Sequence, residues 1–299
     1  MPIGDVFPVG GPVPRNRMIG RDDAIDDIAA RLREQLNVTI IGPRRIGKTS
    51  VGRAVCEELT PTHFVVRVEV PEGPDSQQLR HRIVNACNAG SVRDELRRAW
   101  NTLIPSIKSA AGSEGVQVDL ETLRGIDPQT APWRAILELP LAVAREKRKP
   151  LLLFLDELQR AVGYDDATEV LGDLVDLYGP QTPDAGLLID GSDERAVDEL
   201  LGQPHHVSKI APSRALSPRI PIPAWRNVVP QRFTELGLSI EGAMVERLLA
   251  AFDGHPFGTA AACEGAALAA RRAKADFIGE LEVIEGIAYG HRRMEEDDA

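Results

Sequence analysis

The segment Gly42-Pro43-Arg44-Arg45-Ile46-Gly47-Lys48-Thr49 has the GxxxxGK[ST] spacing of a phosphate-binding loop, and Ser50 follows it. Gly42 and Gly47 permit backbone torsions and a close approach that side chains would block. Successive N–H groups and the start of the following helix can then cradle phosphate oxygens. Lys48 brings a point charge to the β- and γ-phosphates, and Thr49 brings a hydroxyl to Mg²⁺. Arg44 and Arg45 can also touch phosphate, although arginines inside such a loop are more often solvated. The flanks support the motif. Val38-Thr39-Ile40-Ile41 reads as a strand leading in, and Val51, Val55 and Leu59 recur every four residues on a helix leading out. Strand, glycine loop and helix in that order point to a nucleoside triphosphate site.

Two further stretches could supply the rest of the chemistry. Leu151-Leu152-Leu153-Phe154-Leu155-Asp156-Glu157 is an apolar strand ending in two acids. Carboxylates there stand at the strand's C-terminal edge, where ligands of open parallel sheets bind. Asp156 is placed to hold Mg²⁺ through its water shell, and Glu157 to orient or deprotonate an attacking water. Leu187-Leu188-Ile189-Asp190-Gly191-Ser192 is the second such strand. Ser192 is the candidate γ-phosphate sensor and Asp190 the alternative. Ser192 reads equally well as a helix N-cap before Asp193-Glu194.

The elements that must position these residues follow from periodicity. Residues 1–16 read as an extended, irregular arm. Residues 21–36 read as a helix with Ile25, Ile28 and Leu32 on one face. Strands are expected at 38–41, 64–70, 151–155, 187–189 and 219–222. Helices are expected at 49–59, 76–88, 91–109, 132–148 and 166–178. In 91–109 the stripe Leu96, Trp100, Leu103 and Ile107 faces a core, and 110–131 reads as a loop. From Glu241 the pattern is purely helical (241–252, 257–274, 276–293), before the acidic tail Glu295 to Asp298. Strands alternating with helices imply a parallel sheet covered on both faces. The expected domains are an α/β domain at 17–225 and a helical one at 226–299.

Composition bounds the partners. The chain has 299 residues, 43% hydrophobic, with a formal net charge of −10. An acidic chain is a poor general polyanion binder, because nucleic-acid affinity rests largely on phosphate neutralisation. Cys56, Cys87 and Cys263 share no metal-ligand spacing and read as reduced thiols. His205-His206 lacks acidic or cysteine partners at metal spacing and reads as surface. The clusters Arg145 to Lys149 and Arg271 to Lys274 end helices, where cations complement the dipole. No stretch approaches the ~20 apolar residues of a membrane helix, and the N-terminus lacks signal-peptide features. The expected location is cytoplasmic.

Taken in order, Met18-Ile19-Gly20-Arg21-Asp22-Asp23, GPRRIGKTS at 42–50, LLLFLDELQ at 151–159, GS at 191–192 and Asp253-Gly254-His255-Pro256-Phe257 resemble the STAND and archaeal-type ATPase branch of the AAA+-related P-loop NTPases. The resemblance implies a three-layer α/β sandwich with a parallel sheet ordered 5-1-4-3-2 and a small all-helical C-terminal lid. It implies that Ile19, Gly20 and Arg21 lie against the adenine, and that His255 and Pro256 act from the lid. From the residues alone, Gly254-His255-Pro256 reads as a simple helix boundary. Asp22-Asp23 departs from the glutamate usual in that box. The relatives continue into a further module, whereas this sequence ends about forty residues beyond the GHP motif, so an effector is expected in trans. Arg195 and Arg214 are further candidates for sensing the triphosphate.

The reading is a Mg-ATP-binding and hydrolysing conformational switch that regulates a partner protein, with slow turnover and oligomerisation open. Two alternatives are a DNA-associated AAA+-type regulator or loader, and a nucleotide-binding scaffold with negligible hydrolysis.

Overall fold

The computed structural model describes residues 1–89, 95, 97–103, 129, 131–179, 182–192, 194–202 and 207–296, without the side chains of 194–196 and 201. Leu96, Ile107, most of the 110–131 loop, the Arg195 side chain, His205, His206, Asp297 and Asp298 lie outside the described residues. The chain forms two compact units. One comprises residues 27–41 and 55–215, the other residues 1–26, 42–54 and 216–299.

The first unit is built on a parallel sheet of β1 (Val38–Ile41), β2 (Phe64–Glu69), β3 (Leu151–Asp156), β4 (Ala185–Asp190) and β5 (Ser213–Ala215), ordered β2-β3-β4-β1-β5. Read from the other edge, this is the expected 5-1-4-3-2. Every residue of β3 and β4 is buried, which is why these strands read as continuous apolar runs without alternation. The register pairs Glu69 with Asp156, Leu155 with Ile189 and Ile40 with Asp190, so Asp156 and Asp190 close their strands at one edge. Helices α4 (Gln77–Ala89), α5 (Trp133–Lys147) and α6 (Ala167–Leu177) pack on the sheet through Leu79, Ile83, Trp133, Ile136, Val170 and Leu171. Residues 97–103 are helical, and Ala99, Trp100 and Leu103 join the same core. The helix α7 (Glu194–Leu201) begins where the N-cap reading of Ser192 put a first turn, whereas the short α8 (Val207–Ile210) has no counterpart in the sequence reading.

Asn37 pins the middle of this sheet. Its Nδ2 donates to the carbonyls of Tyr178 (2.7 Å) and Ile210 (2.9 Å), and its Oδ1 accepts from the Leu187 amide (2.7 Å). Asn37→Leu would leave all three backbone groups without these partners. At ~1–3 kcal/mol for each buried group left unsatisfied, a loss of about 3 kcal/mol or more is expected. Urea unfolding should show it as a lower midpoint at unchanged slope.

The last strand differs from expectation. It lies at Ser213–Ala215, paired with Thr39–Ile41, and not at 219–222. Pro221 denies that later segment a ladder donor. Pro221 instead caps α9 (Ile222–Glu235). The true strand is short, polar and exposed at the sheet edge, so it carries no hydrophobic signal.

The second unit has its own core. The helices are α9, α10 (Gly242–Phe252), α11 (Pro256–Ala273) and α12 (Glu280–Glu295), with Trp225, Val229, Phe233, Leu248, Phe252 and Val283 buried among them. The expected irregular arm is partly ordered into this core. A helical turn α1 (Ile3–Val6) buries Ile3 and Val6, and Phe7 packs at a tilt against Phe233 with ring centroids 5.0 Å apart. The region beyond 241 is not purely helical either. Strand β6 (Ser239–Ile240) pairs in parallel with β7 (Phe277–Ile278), so the last helix begins at Glu280 rather than 276. Two-residue strands are too short for a period-2 pattern to be read.

The units also divide the chain differently from the expected cut at 225/226. The phosphate loop groups with 216–299, and the cuts fall inside α2 (Asp22–Arg33) and α3 (Lys48–Leu59). Among the described residues, no helix is long and apolar enough to cross a membrane.

Candidate nucleotide site

The phosphate loop begins at the residue after β1 and ends where α3 starts at Lys48. Gly42 (φ 147°), Arg45 (φ 63°) and Gly47 (φ 93°) all adopt positive φ. Such alternation turns consecutive N–H groups toward one side, the arrangement that makes an anion nest. The buried Lys48 ammonium donates to the Gly42 carbonyl (2.8 Å) and the Pro43 carbonyl (2.7 Å). Ser50 Oγ accepts from the Val13 amide (2.9 Å), which ties the N-terminal segment to the loop's flank. Arg44 is exposed.

Arg21 and Arg45 connect the loop to its surroundings within this unit. The buried Arg21 donates through Nη2 to the Ile46 carbonyl (2.8 Å), and burial lowers its guanidinium to about 10, still charged at neutral pH. Next to it, Gly20 lies so close to α9 that a Cβ would sit 2.8 Å from Ile220 Cγ2 and 3.2 Å from Ala224 Cβ. Ile19 is buried in the helical core with Ile220. Arg45 lies 3.9 Å over the Phe257 ring, and its Nη1 donates to the Arg293 carbonyl (2.7 Å). Arg45, which the sequence offers either as a phosphate contact or as a solvated residue, here contacts α11 and α12. Periodicity gives no sign of this contact, because Arg293 is 248 residues away in sequence.

The GHP segment is a helix boundary. Asp253 (φ 47°) caps α10 in the left-handed region, and Gly254 follows at φ 69°. His255 is the N-cap of α11, with Nδ1 accepting from the Gly258 amide (3.3 Å), and Pro256 opens the helix.

In the sheet unit, Asp156, Glu157 and Asp190 each offer a carboxylate oxygen, and these oxygens lie within 4.8 Å of one another. Asp156 and Asp190 are buried. Burial, and then the neighbouring Asp156, hold the Asp190 carboxyl well above the usual carboxylate range. Acids crowded in this way have the donor set of a hard divalent cation, whose charge would offset their repulsion. Mg²⁺ fits these residues. Glu157 sits at φ 62°, ψ 41°, a sparsely populated conformation for a residue with a side chain and one that clusters at functional sites. Its amide donates to Asp190 Oδ1 (3.2 Å). Its Oε2 accepts from Ser192 Oγ (2.8 Å) and Gln159 Nε2 (2.5 Å). Ser192 thus contacts the acid directly. Arg214 is exposed on β5. Gln159 closes the LLLFLDELQ stretch that carries the family resemblance, but the sequence assigns it no role of its own.

A profile of the AAA ATPase domain matches residues 17–187, more than half of the sequence. The chain belongs to this family. No protein of curated function matches it. Among solved structures, this AAA ATPase is similar to a Walker-type ATPase of Pyrococcus abyssi, with 14% identity over 98% of this chain and 76% of that one and a TM-score of 0.64. It is also similar to the ORC2 protein of Aeropyrum pernix, solved as ADPNP–ADP complexes, with 18% identity, 95% and 71% coverage and a TM-score of 0.65. The Aeropyrum pernix ORC1 protein in complex with DNA gives 15% identity, 96% and 68% coverage and a TM-score of 0.55. At these identities the likeness carries the fold: a P-loop NTPase sheet with a helical C-terminal region.

Proposed function

We propose that this AAA ATPase binds Mg-ATP and hydrolyses it slowly, as a conformational switch read by a partner protein in trans. Gly42 to Ser50 take the phosphates, and Lys48 supplies charge to the β- and γ-groups. Thr49 and Asp156 hold Mg²⁺, which when bound neutralises charge developing on the phosphoryl oxygens. Glu157 accepts a proton from water as the water's oxygen bonds to the γ-phosphorus. The bond from that phosphorus to the β,γ-bridging oxygen breaks, and ADP leaves with the electron pair. Ser192 holds the base, and Ile19, Gly20, His255 and Pro256 border the nucleoside.

The switch reading is carried by the contact of Arg45 with Phe257 and the Arg293 carbonyl. A loop that reshapes around phosphate would move the residue that grips α11 and α12, so loop state and helix placement are linked. The motif order 18–258 is similar to the STAND and archaeal-type branch and supports the same reading. The test is ATP and GTP binding and turnover with Mg²⁺. ATP turnover that disappears on chelation and returns with Mg²⁺ is expected. Chelator-insensitive turnover would remove Mg²⁺ from the proposal.

A second reading, a DNA-associated regulator, is favoured by the likeness to the DNA-bound ORC1 protein. Fluorescence anisotropy with a labelled duplex at low and physiological salt tests it. Affinity that survives physiological salt would support that reading against the net charge of −10.

A further inference from the structure

We infer that Gln159 is a positioning residue for hydrolysis, fixing which oxygen of Glu157 acts as the base. The inference rests on Glu157 being that base. Gln159 is 4% exposed and stands in the 3-10 turn Leu158–Gly163 that follows β3. Its Nε2 lies 2.5 Å from Glu157 Oε2, the oxygen that also accepts from Ser192 Oγ. Among the described residues no donor reaches Glu157 Oε1. One oxygen is therefore anchored twice, and the other is left to meet water.

Two observations show that the amide sits here for its nitrogen. Its Oε1 is buried without a hydrogen-bond partner among the described residues, an unfavourable state for a carbonyl. Reversing the amide would point that oxygen at the carboxylate, so Glu157 dictates the orientation. The fold also makes room for it. A Cβ on Gly191 would lie 2.6 Å from Gln159 Oε1 and 2.5 Å from Val197 Cγ2, so the glycine between Asp190 and Ser192 admits this side chain. The left-handed backbone of Glu157 lets the residue two positions on return to the carboxylate.

A double-mutant cycle on the full chain tests the inference, with Gln159→Met as a nearly isosteric change that removes the donor. In the wild-type background kcat is expected to fall about tenfold or more, as misplacing a catalytic group can do. The KM for ATP and the affinity for a fluorescent ATP analogue should stay within about twofold, since no contact with phosphate or with the nucleoside is assigned to Gln159. In a Glu157→Gln background the same change should alter the residual rate less than twofold, because residues acting as a unit are non-additive. Should Gln159→Met not fold, Gln159→Asn keeps the amide but shortens its reach to Glu157 Oε2, and is expected to show the same split. Wild-type kcat in the variant that folds, or a full multiplicative loss in the Glu157→Gln background, overturns the positioning role. If Glu157→Gln itself turns over at the wild-type rate, the base assignment fails and this inference falls with it. An inactive Glu157→Gln beside a fully active Gln159→Met overturns the positioning role alone.

Discussion

Lys48→Ala is expected to abolish ATP binding at ordinary concentrations, raising Kd by about 10²-fold or more. Lys48 is 5% exposed, and its ammonium donates to the carbonyls of Gly42 and Pro43. It is therefore a buried charge held inside the loop by the loop's own backbone. Phosphate oxygens would replace those carbonyls as acceptors, and each charge-assisted hydrogen bond contributes about 1.5–3 kcal/mol. Losing two of them removes roughly 3–6 kcal/mol, and 1.4 kcal/mol corresponds to a factor of about ten in Kd. Titration calorimetry with ATP and Mg²⁺ measures it, with the far-UV spectrum confirming that the variant is folded. Wild-type affinity in a folded Lys48→Ala protein would show that nucleotide is not held by this loop.

Glu157→Gln should separate binding from chemistry. Both Ser192 Oγ and Gln159 Nε2 donate to Glu157 Oε2, and an amide oxygen can accept the same two bonds. The glutamine should therefore keep its place, and the left-handed backbone at 157 is unaffected by the change. What is lost is the capacity to accept a proton from water, a contribution of about 10²- to 10⁴-fold. Single-turnover hydrolysis should slow by that factor while ATP affinity stays within about threefold. Unchanged turnover would transfer the role of base to another group, with Asp190 the nearest candidate at the same sheet edge.

How these residues come to be grouped divides between sequence and fold. The three apolar strands that end in Ile41, Asp156 and Asp190 were legible because a strand buried on both faces is a run of Leu, Val and Ile. The acids at their ends were legible because charge interrupts that run. Strand β5 was not, since Ser213–Ala215 is polar and exposed and is defined only by its ladder with Thr39–Ile41. The turn Ile3–Val6 was missed for a related reason. Four residues are too few to show a helical period, and their burial depends on a core most of whose other side chains lie more than 200 residues along the chain.

The order of the sheet was implied by the family resemblance; the sequence by itself determined the phosphate loop, the acid pair, the parallel sheet and the helical C-terminal region. Each is encoded locally, by glycine spacing, by apolar runs and by the alternation of strand and helix. Only the tertiary structure decided that Arg45 grips Phe257 and the Arg293 carbonyl, that Arg21 braces Ile46, and that Gln159 and Ser192 converge on one oxygen of Glu157. The contacts of Arg45 and Arg21, and that of Ser192 with Glu157, join residues 25 to 248 positions apart in sequence. Gln159 is near Glu157 in sequence, but its direction is set by the left-handed backbone at Glu157 and the space left at Gly191. A side chain's partner across such distances depends on the packing of whole elements, and no local pattern carries that information.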